Sequence, residues 1–139
     1  IMPYQFPVQV YYEDTDAGGV VYYANYLKFM ERSRTEWLRS LGFEQDALMQ
    51  DPGVMFAVKH AEADYLRPAR FNDRLQVSSQ LAGMGRANMV IRHQISRAAD
   101  AQLLCTGLVK IVCLGVDDFR PRPIPQPIFQ IMEQMQDAE

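Results

Sequence analysis

Three carboxylates and two glycines crowd into one short segment near the start of the chain, Glu13-Asp14-Thr15-Asp16-Ala17-Gly18-Gly19. An apolar-periodic stretch follows from about Tyr23. That placement suits carbonyl chemistry. A helix N-terminus leaves backbone N–H groups unpaired and carries partial positive charge. Such groups polarise a carbonyl and hold an oxyanion as it develops. A carboxylate beside them can activate water or attack the carbonyl itself. Gly18 and Gly19 let backbone and ligand approach closely. The same residue types also build turns and helix starts, so spacing alone leaves a purely structural role open for Asp14 and Asp16.

Other chemistries find no template. The sequence has no G-x-S-x-G elbow, no H-E-x-x-H and no G-x-x-x-x-G-K-[ST] phosphate loop. Gly83-Met84-Gly85 runs on to Asn88 and opens onto a strand, which fails the dinucleotide fingerprint. His60 and His93 are the two histidines, both inside strand-like segments with no Cys or His cluster beside them. No metal site and no histidine triad is expected, and Lys59 and His60 receive no role. Cys105 and Cys113 are spaced neither for a metal nor for a C-x-x-C redox pair. They read as reduced core thiols.

The elements that must position the carboxylates follow from periodicity. Gln5 to Tyr12 alternates as a strand, with Phe6, Val8 and Val10 on one face. A long helix is expected over about Tyr23 to Leu41, roughly 28 Å at 1.5 Å per residue. Its apolar stripe is Tyr23, Tyr26, Leu27, Met30, Trp37, Leu38 and Leu41. Arg32 and Glu36 are spaced to pair on its other side. Gly42 is placed to cap its end. A short helical piece at Gln45 to Met49 ends in the turn Asp51-Pro52-Gly53. Strands are expected at Val54–Leu66, Arg74–Leu81, Asn88–Ser96 and Gln102–Leu114. In the middle two, Leu75, Val77, Ser79 and Leu81, then Met89, Ile91, His93 and Ile95, take the core face. A proline-rich arm, Arg120 to Pro127, precedes an Ile128–Met135 helical stripe. One long helix on an antiparallel sheet is an α+β two-layer domain, read here as a single domain over residues 1–139. A sheet with so little cover favours homodimerisation.

The chain has 139 residues, 48% hydrophobic and 22% charged, with a net charge of −3. These are globular proportions, and the acidic balance speaks against a nucleic-acid partner. No apolar run reaches the ~20 residues of a membrane helix. The first residues lack the basic start and apolar core of a signal peptide, so a cytoplasmic protein that is not integral to a membrane is expected.

The segment Val10-Tyr11-Tyr12-Glu13-Asp14-Thr15-Asp16-Ala17-Gly18-Gly19-Val20-Val21-Tyr22-Tyr23-Ala24-Asn25-Tyr26 closely resembles the signature of the hot-dog-fold acyl-CoA thioesterases. That is the 4-hydroxybenzoyl-CoA thioesterase family. The subgroup it most resembles is the bacterial acyl-CoA thioesterases associated with the Tol–Pal envelope system. The resemblance continues through Phe29 to Glu36, Leu41-Gly42-Phe43, Tyr65 to Asp73, Lys110 to Leu114 and Arg120 to Pro125. It implies a hot-dog fold, a long central helix packed against a five-stranded antiparallel sheet. It implies dimers that assemble into tetramers, with active sites at the dimer interface.

By motif position, the resemblance makes Asp16 the catalytic carboxylate and the backbone N–H of Tyr23 the group that polarises the thioester carbonyl. Tyr26 is implied to shape the acyl pocket, with core packing as its other reading. Asn25 supports the site and Asp14 holds the loop. Arg86 is the one cation in the turn Gly83 to Asn88, where the resemblance implies a basic cluster; its readings are contact with the CoA phosphates, with Arg67 and Arg70 behind it, and a solvated turn charge. The activity implied is hydrolysis of acyl-CoA to free acid and CoA, with Asp16 as general base or nucleophile. No metal or redox cofactor is implied, CoA being part of the substrate. Two alternatives stand beside it: an aromatic acyl-CoA or acyl-carrier-protein substrate, and a mainly partner-binding oligomer of the Tol–Pal envelope system.

Overall fold

The computed structural model describes residues 2–136; Ile1 and residues 137–139, the ends of the expected single domain, lie outside the described residues. β1 (Tyr4–Gln9), α1 (Asn25–Ser40), α2 (Gln45–Gln50), β2 (Val54–Tyr65), β3 (Arg74–Met84), β4 (Asn88–Arg97), β5 (Leu103–Gly115) and α3 (Gln126–Met135) follow in that order. The strands form one five-stranded sheet in the order β1-β3-β4-β5-β2, antiparallel throughout. The architecture is the α+β one expected from the element order. No helix among the described residues is long and apolar enough to cross a membrane.

Alternation decides which face of the sheet is buried. Leu75, Val77, Ser79 and Leu81 of β3 and Met89, Ile91, His93 and Ile95 of β4 are all buried. Cys105 and Cys113 lie buried and unbonded in β5 on the same face. Burial pushes the Cys105 thiol up to about 12, which makes it inert. α1 crosses this face. Tyr26, Phe29, Met30, Ser33, Trp37 and Leu38 recur at helical spacing and are buried. The expected stripe is therefore rotated: Tyr23 and Leu27 are exposed, while Phe29 and Ser33 take the core. Tyr26, Met30, Trp37 and Leu38 stay in the core, so the rotation is a fraction of the roughly 100° between successive helical residues. Ser33 is tolerated there because its hydroxyl meets Val77 O at 3.2 Å and Ser79 Oγ at 2.6 Å.

Gly107 sets how close the helix comes. A Cβ on it would stand 2.5 Å from Met30 Sδ, so the methionine packs directly on the backbone of β5. At the C-terminal end Gly42 takes φ +97, Gly42 N–H bonds Arg39 O and Phe43 N–H bonds Leu38 O. That is the Schellman arrangement, and it explains the glycine. α1 starts at Asn25 rather than Tyr23, because Asn25 N–H bonds Tyr22 O in a turn. Glu36 pairs with Arg39 instead of Arg32, and Arg39 also holds Glu44 at 2.8 Å. Arg32 stands over the Phe29 ring.

Two strand ends lie three residues from where periodicity puts them, and the others within one. β1 ends at Gln9, since Val10 N–H turns to Asp73 O and Tyr12–Asp14 coil into a 3-10 turn. β3 runs past Leu81 to Met84 through an irregularity at Gly83. β2, of 12 residues, is an edge strand bonded on one side only, to β5.

Candidate active site

The acidic segment folds into a tight two-sided loop. Thr15 and Val21 pair across it, Asp16 N–H bonds Val20 O at 2.9 Å and Gly19 N–H bonds Asp16 O at 3.0 Å. Gly19 sits at φ +79, where a side chain is unwelcome. The carboxylates of Asp14 and Asp16 behave differently. Asp14 Oδ2 accepts Tyr11 N–H at 2.8 Å, and its carbonyl accepts both Tyr22 N–H and Asn25 Nδ2 at 2.9 Å. It is built into the loop, and buried Asn25 ties that loop to the helix start. Asp16 is exposed. Its Oδ1 accepts Gly18 N–H at 2.8 Å, and its Oδ2 has no hydrogen-bond partner among the described residues.

The helix start faces the same loop. Val21 N–H bonds Ala69 O and Tyr22 N–H bonds Asp14 O, after which the chain turns into α1. The N–H of Tyr23 has no acceptor among the described residues. The Tyr22 phenol is held above its ordinary value, first by the Tyr23 hydroxyl and also by the charge of Asp16. The free carboxylate oxygen of Asp16 and the unpaired N–H of Tyr23 belong to the same corner of the fold, where the acidic loop runs into α1. Around it stand aromatic rings: Tyr23 packs edge-on to Tyr65 at 6.0 Å, and Tyr65 packs on Tyr26 at 5.5 Å. Tyr23, Tyr26, Tyr65 and Leu66 line an open cavity with Arg67 at its rim.

Tyr26 forms the floor of that cavity and is 3% exposed. Its hydroxyl accepts Ala69 N–H at 3.0 Å, and burial raises its pKa above the ordinary phenol value. It therefore stays neutral. Tyr26 is thus a core residue that also lines this cavity.

Arg86 is not brought to this corner within the chain. It is exposed in the turn between β3 and β4, where its carbonyl accepts Ile124 N–H at 2.9 Å. β3 begins beside the acidic loop at Arg74 and ends before Arg86, and its 11 residues span roughly 35 Å. Arg70 is brought to the acidic loop, where it pairs with Val20, and Arg67 lines the aromatic cavity. Among the described residues no group of three His, Cys, Asp or Glu side chains is disposed to hold a metal.

Sequence reasoning missed a polar chain inside the core. Arg34 Nη1 meets His93 Nε2 at 3.1 Å, and His93 Nδ1 lies 2.9 Å from Ser78 O and 3.2 Å from Ser79 Oγ. Ser79 continues it to Ser33. The signal was present in part, since alternation had already turned Ser79 and His93 inward.

The family model of the thioesterase-like superfamily matches residues 10–134. The chain is 42% identical over 125 residues to an acyl-CoA thioester hydrolase, YbgC, of Escherichia coli, covering 90% of this chain and 92% of that protein. It is 38% identical to the acyl-CoA thioesterase YbgC of Haemophilus influenzae, covering 90% of each. Among solved structures, a 1,4-dihydroxy-2-naphthoyl-CoA thioesterase from Synechocystis superposes with a TM-score of 0.89 at 27% identity, over 96% of this chain and 98% of that one.

Proposed function

The chain belongs to the thioesterase-like superfamily, and we propose that Asp16 and the start of α1 carry out hydrolysis of acyl-CoA thioesters to free acid and CoA. The observation that carries this reading is the pairing of a half-engaged carboxylate with an unpaired helix-start N–H. Gly18 N–H fixes Asp16 Oδ1 and thereby orients Oδ2, which stays open to a reactant. The Tyr23 N–H suits the thioester oxygen, where negative charge grows as the carbonyl is attacked.

Two routes use the same atoms. In one, Asp16 Oδ2 removes a proton from water as the water oxygen bonds to the carbonyl carbon. The tetrahedral oxyanion then collapses, the C–S bond breaks and the CoA thiolate takes up the proton. In the other, Oδ2 bonds to the carbonyl carbon and expels the thiolate, leaving a mixed anhydride that water cleaves. Arg67 lines the aromatic cavity and Arg70 pairs with the acidic loop, which supports a role for both in receiving an anionic substrate.

A homodimer formed along the free edge of β2 completes the site. Antiparallel joining of two such edges brings the Tyr65 end of one strand beside the Val54 end of the other. The partner subunit's Arg86 end then approaches this chain's Asp16 end, which supports a phosphate contact across the interface. Light scattering tests the dimer.

The test of the activity is thiol release from short, long and aromatic acyl-CoA thioesters by the native chain and by Asp16→Asn. The expected loss is about a hundredfold to ten-thousandfold in kcat with fold retained. Turnover that survives the substitution removes Asp16 from the mechanism. No turnover by folded native protein removes free acyl-CoA as the substrate.

A further inference from the structure

Two more cavities lie along the groove between α1 and β2. The first, of about 300 Å³, lies between Leu27 on the helix and Val58 and Ala61 on the strand. The second, of about 110 Å³, continues toward Leu38, Phe56 and Met132. Both include Glu31, Arg34 and Val58, so they are two parts of one trough. Leu27 lies in the first turn of α1, just after the segment that carries the proposed carbonyl site.

The trough is apolar except for Lys28 beside Leu27 and for one place further along, where Glu31, Arg34, Thr35 and Gln45 converge. A guanidinium has five N–H donors. Among the described residues His93 is the one hydrogen-bond partner of Arg34, and Arg34 has no ion pair. Ser78 O accepts the Nδ1 proton of His93, so Nε2 receives one Arg34 N–H and four donors are left. Burial disfavours the Arg34 charge, with Glu31 opposing that effect. Glu31 Oε2 accepts Thr35 Oγ1 at 2.6 Å, and Oε1 has no partner among the described residues.

A half-buried, donor-only cation and an exposed, acceptor-only anion therefore border the same apolar space. A methyl end satisfies neither. A carboxylate satisfies Arg34 and is repelled by Glu31. A hydroxyl both donates and accepts, and satisfies both. Glu31 and Arg34 lie about 9 and 14 Å beyond Asn25, the first residue of α1, along the helix axis. Their long side chains lean back toward the N-terminus. The hydroxyl that fits is thus well separated from the thioester.

Resting on the thioesterase reading, we propose that this trough receives the acyl chain and that Arg34 and Glu31 bind a hydroxyl near its far end, making distally hydroxylated aliphatic acyl-CoA the preferred substrate class.

The test compares binding of non-hydrolysable thioether analogues of ω-hydroxydecanoyl-CoA and decanoyl-CoA by calorimetry, beside turnover of the two thioesters. Native protein is expected to bind the hydroxylated analogue about tenfold more tightly, the scale of a hydrogen bond to a charged group. Arg34→Met removes the preference. Glu31→Gln, at an exposed position that leaves the fold intact, weakens it and favours the ω-carboxy analogue instead. Equal binding of the two analogues by native protein overturns the proposal, and so does a preference that survives both substitutions. Discrimination between the analogues without cleavage of either thioester upholds the trough and overturns the hydrolase reading. Cleavage of decanoyl-CoA without discrimination does the reverse.

Discussion

The hydroxyl of Tyr26 accepts the backbone N–H of Ala69 at 3.0 Å, a bond that fastens the first turn of α1 to the segment that follows β2. Both groups are buried. Removing the hydroxyl in Tyr26→Phe strands the amide, at a cost of about 1–3 kcal/mol. Urea unfolding is expected to show a lower midpoint with an unchanged slope. Because Tyr26 also floors the aromatic cavity, KM for acyl-CoA is expected to rise in the same variant.

Gly18→Ala acts on the carboxylate without touching the core. The added Cβ would stand 3.2 Å from Asp16 Oδ1, the oxygen that Gly18 N–H holds. The loop is exposed, so stability changes little. The carboxylate is displaced, and kcat is expected to fall about ten- to a hundredfold, since small misplacements of reacting groups cost that much. A stopped assay beside a thermal melt separates the two effects.

His93 makes stability depend on pH. Its pKa is lowered from 6.5 to about 4, mainly because burial disfavours the charged ring and also because Arg34 lies beside it. The unfolded ring binds a proton below about 6.5, the folded ring only near 4. The stability carried by the neutral ring is therefore intact above that upper value and is lost as pH falls through the window. The full span corresponds to roughly 3 kcal/mol. Other carboxylates titrate in the same range, so the measurement is a difference: urea unfolding of native and His93→Gln protein between the two limits. The native protein is expected to have the steeper loss toward acid.

Met30 and Gly107 should fail additivity. Gly107→Ala drives a methyl against Met30 Sδ and Cε and is expected to destabilise by about 1–3 kcal/mol. Met30→Ala alone leaves a cavity and costs about 2–5 kcal/mol. Together the alanine methyl enters space that the methionine has vacated. The double variant is expected to be more stable than the sum predicts by at least about 0.5 kcal/mol, measured in a double-mutant cycle.

Much of the fold was legible because alternation and helical spacing are strong where one face is buried. The inward sets of β3 and β4 read correctly down to Ser79 and His93. The phase of α1 read less well. Tyr23 and Leu27 are apolar enough to extend a stripe on paper, yet the helix begins only at Asn25 and turns Phe29 inward. The acidic loop announced itself by residue type, but its division of labour did not. Asp14 and Asp16 are alike in sequence, and only the hydrogen bonds distinguish a carboxylate spent on Tyr11 from one with an oxygen to spare. The distance between Arg86 and Asp16 was hidden too, since it depends on which strand neighbours which. The Arg34–His93 contact joins a helix to a strand 59 residues away, beyond the reach of any local pattern.

The strand order has a kinetic consequence. β2 is completed at Tyr65, but its one neighbour in the sheet is β5, the last strand in the chain. While β3 and β4 are being synthesised and join each other, β2 emerges with nothing to pair with. Non-local pairing of this kind is slow, and unpaired strands attract one another. Two nascent chains side by side would each expose the edge along which the mature subunits are proposed to join. The contact that builds the assembly is then available before the subunit is finished, and the rate at which β5 arrives governs whether β2 meets its own chain or another first.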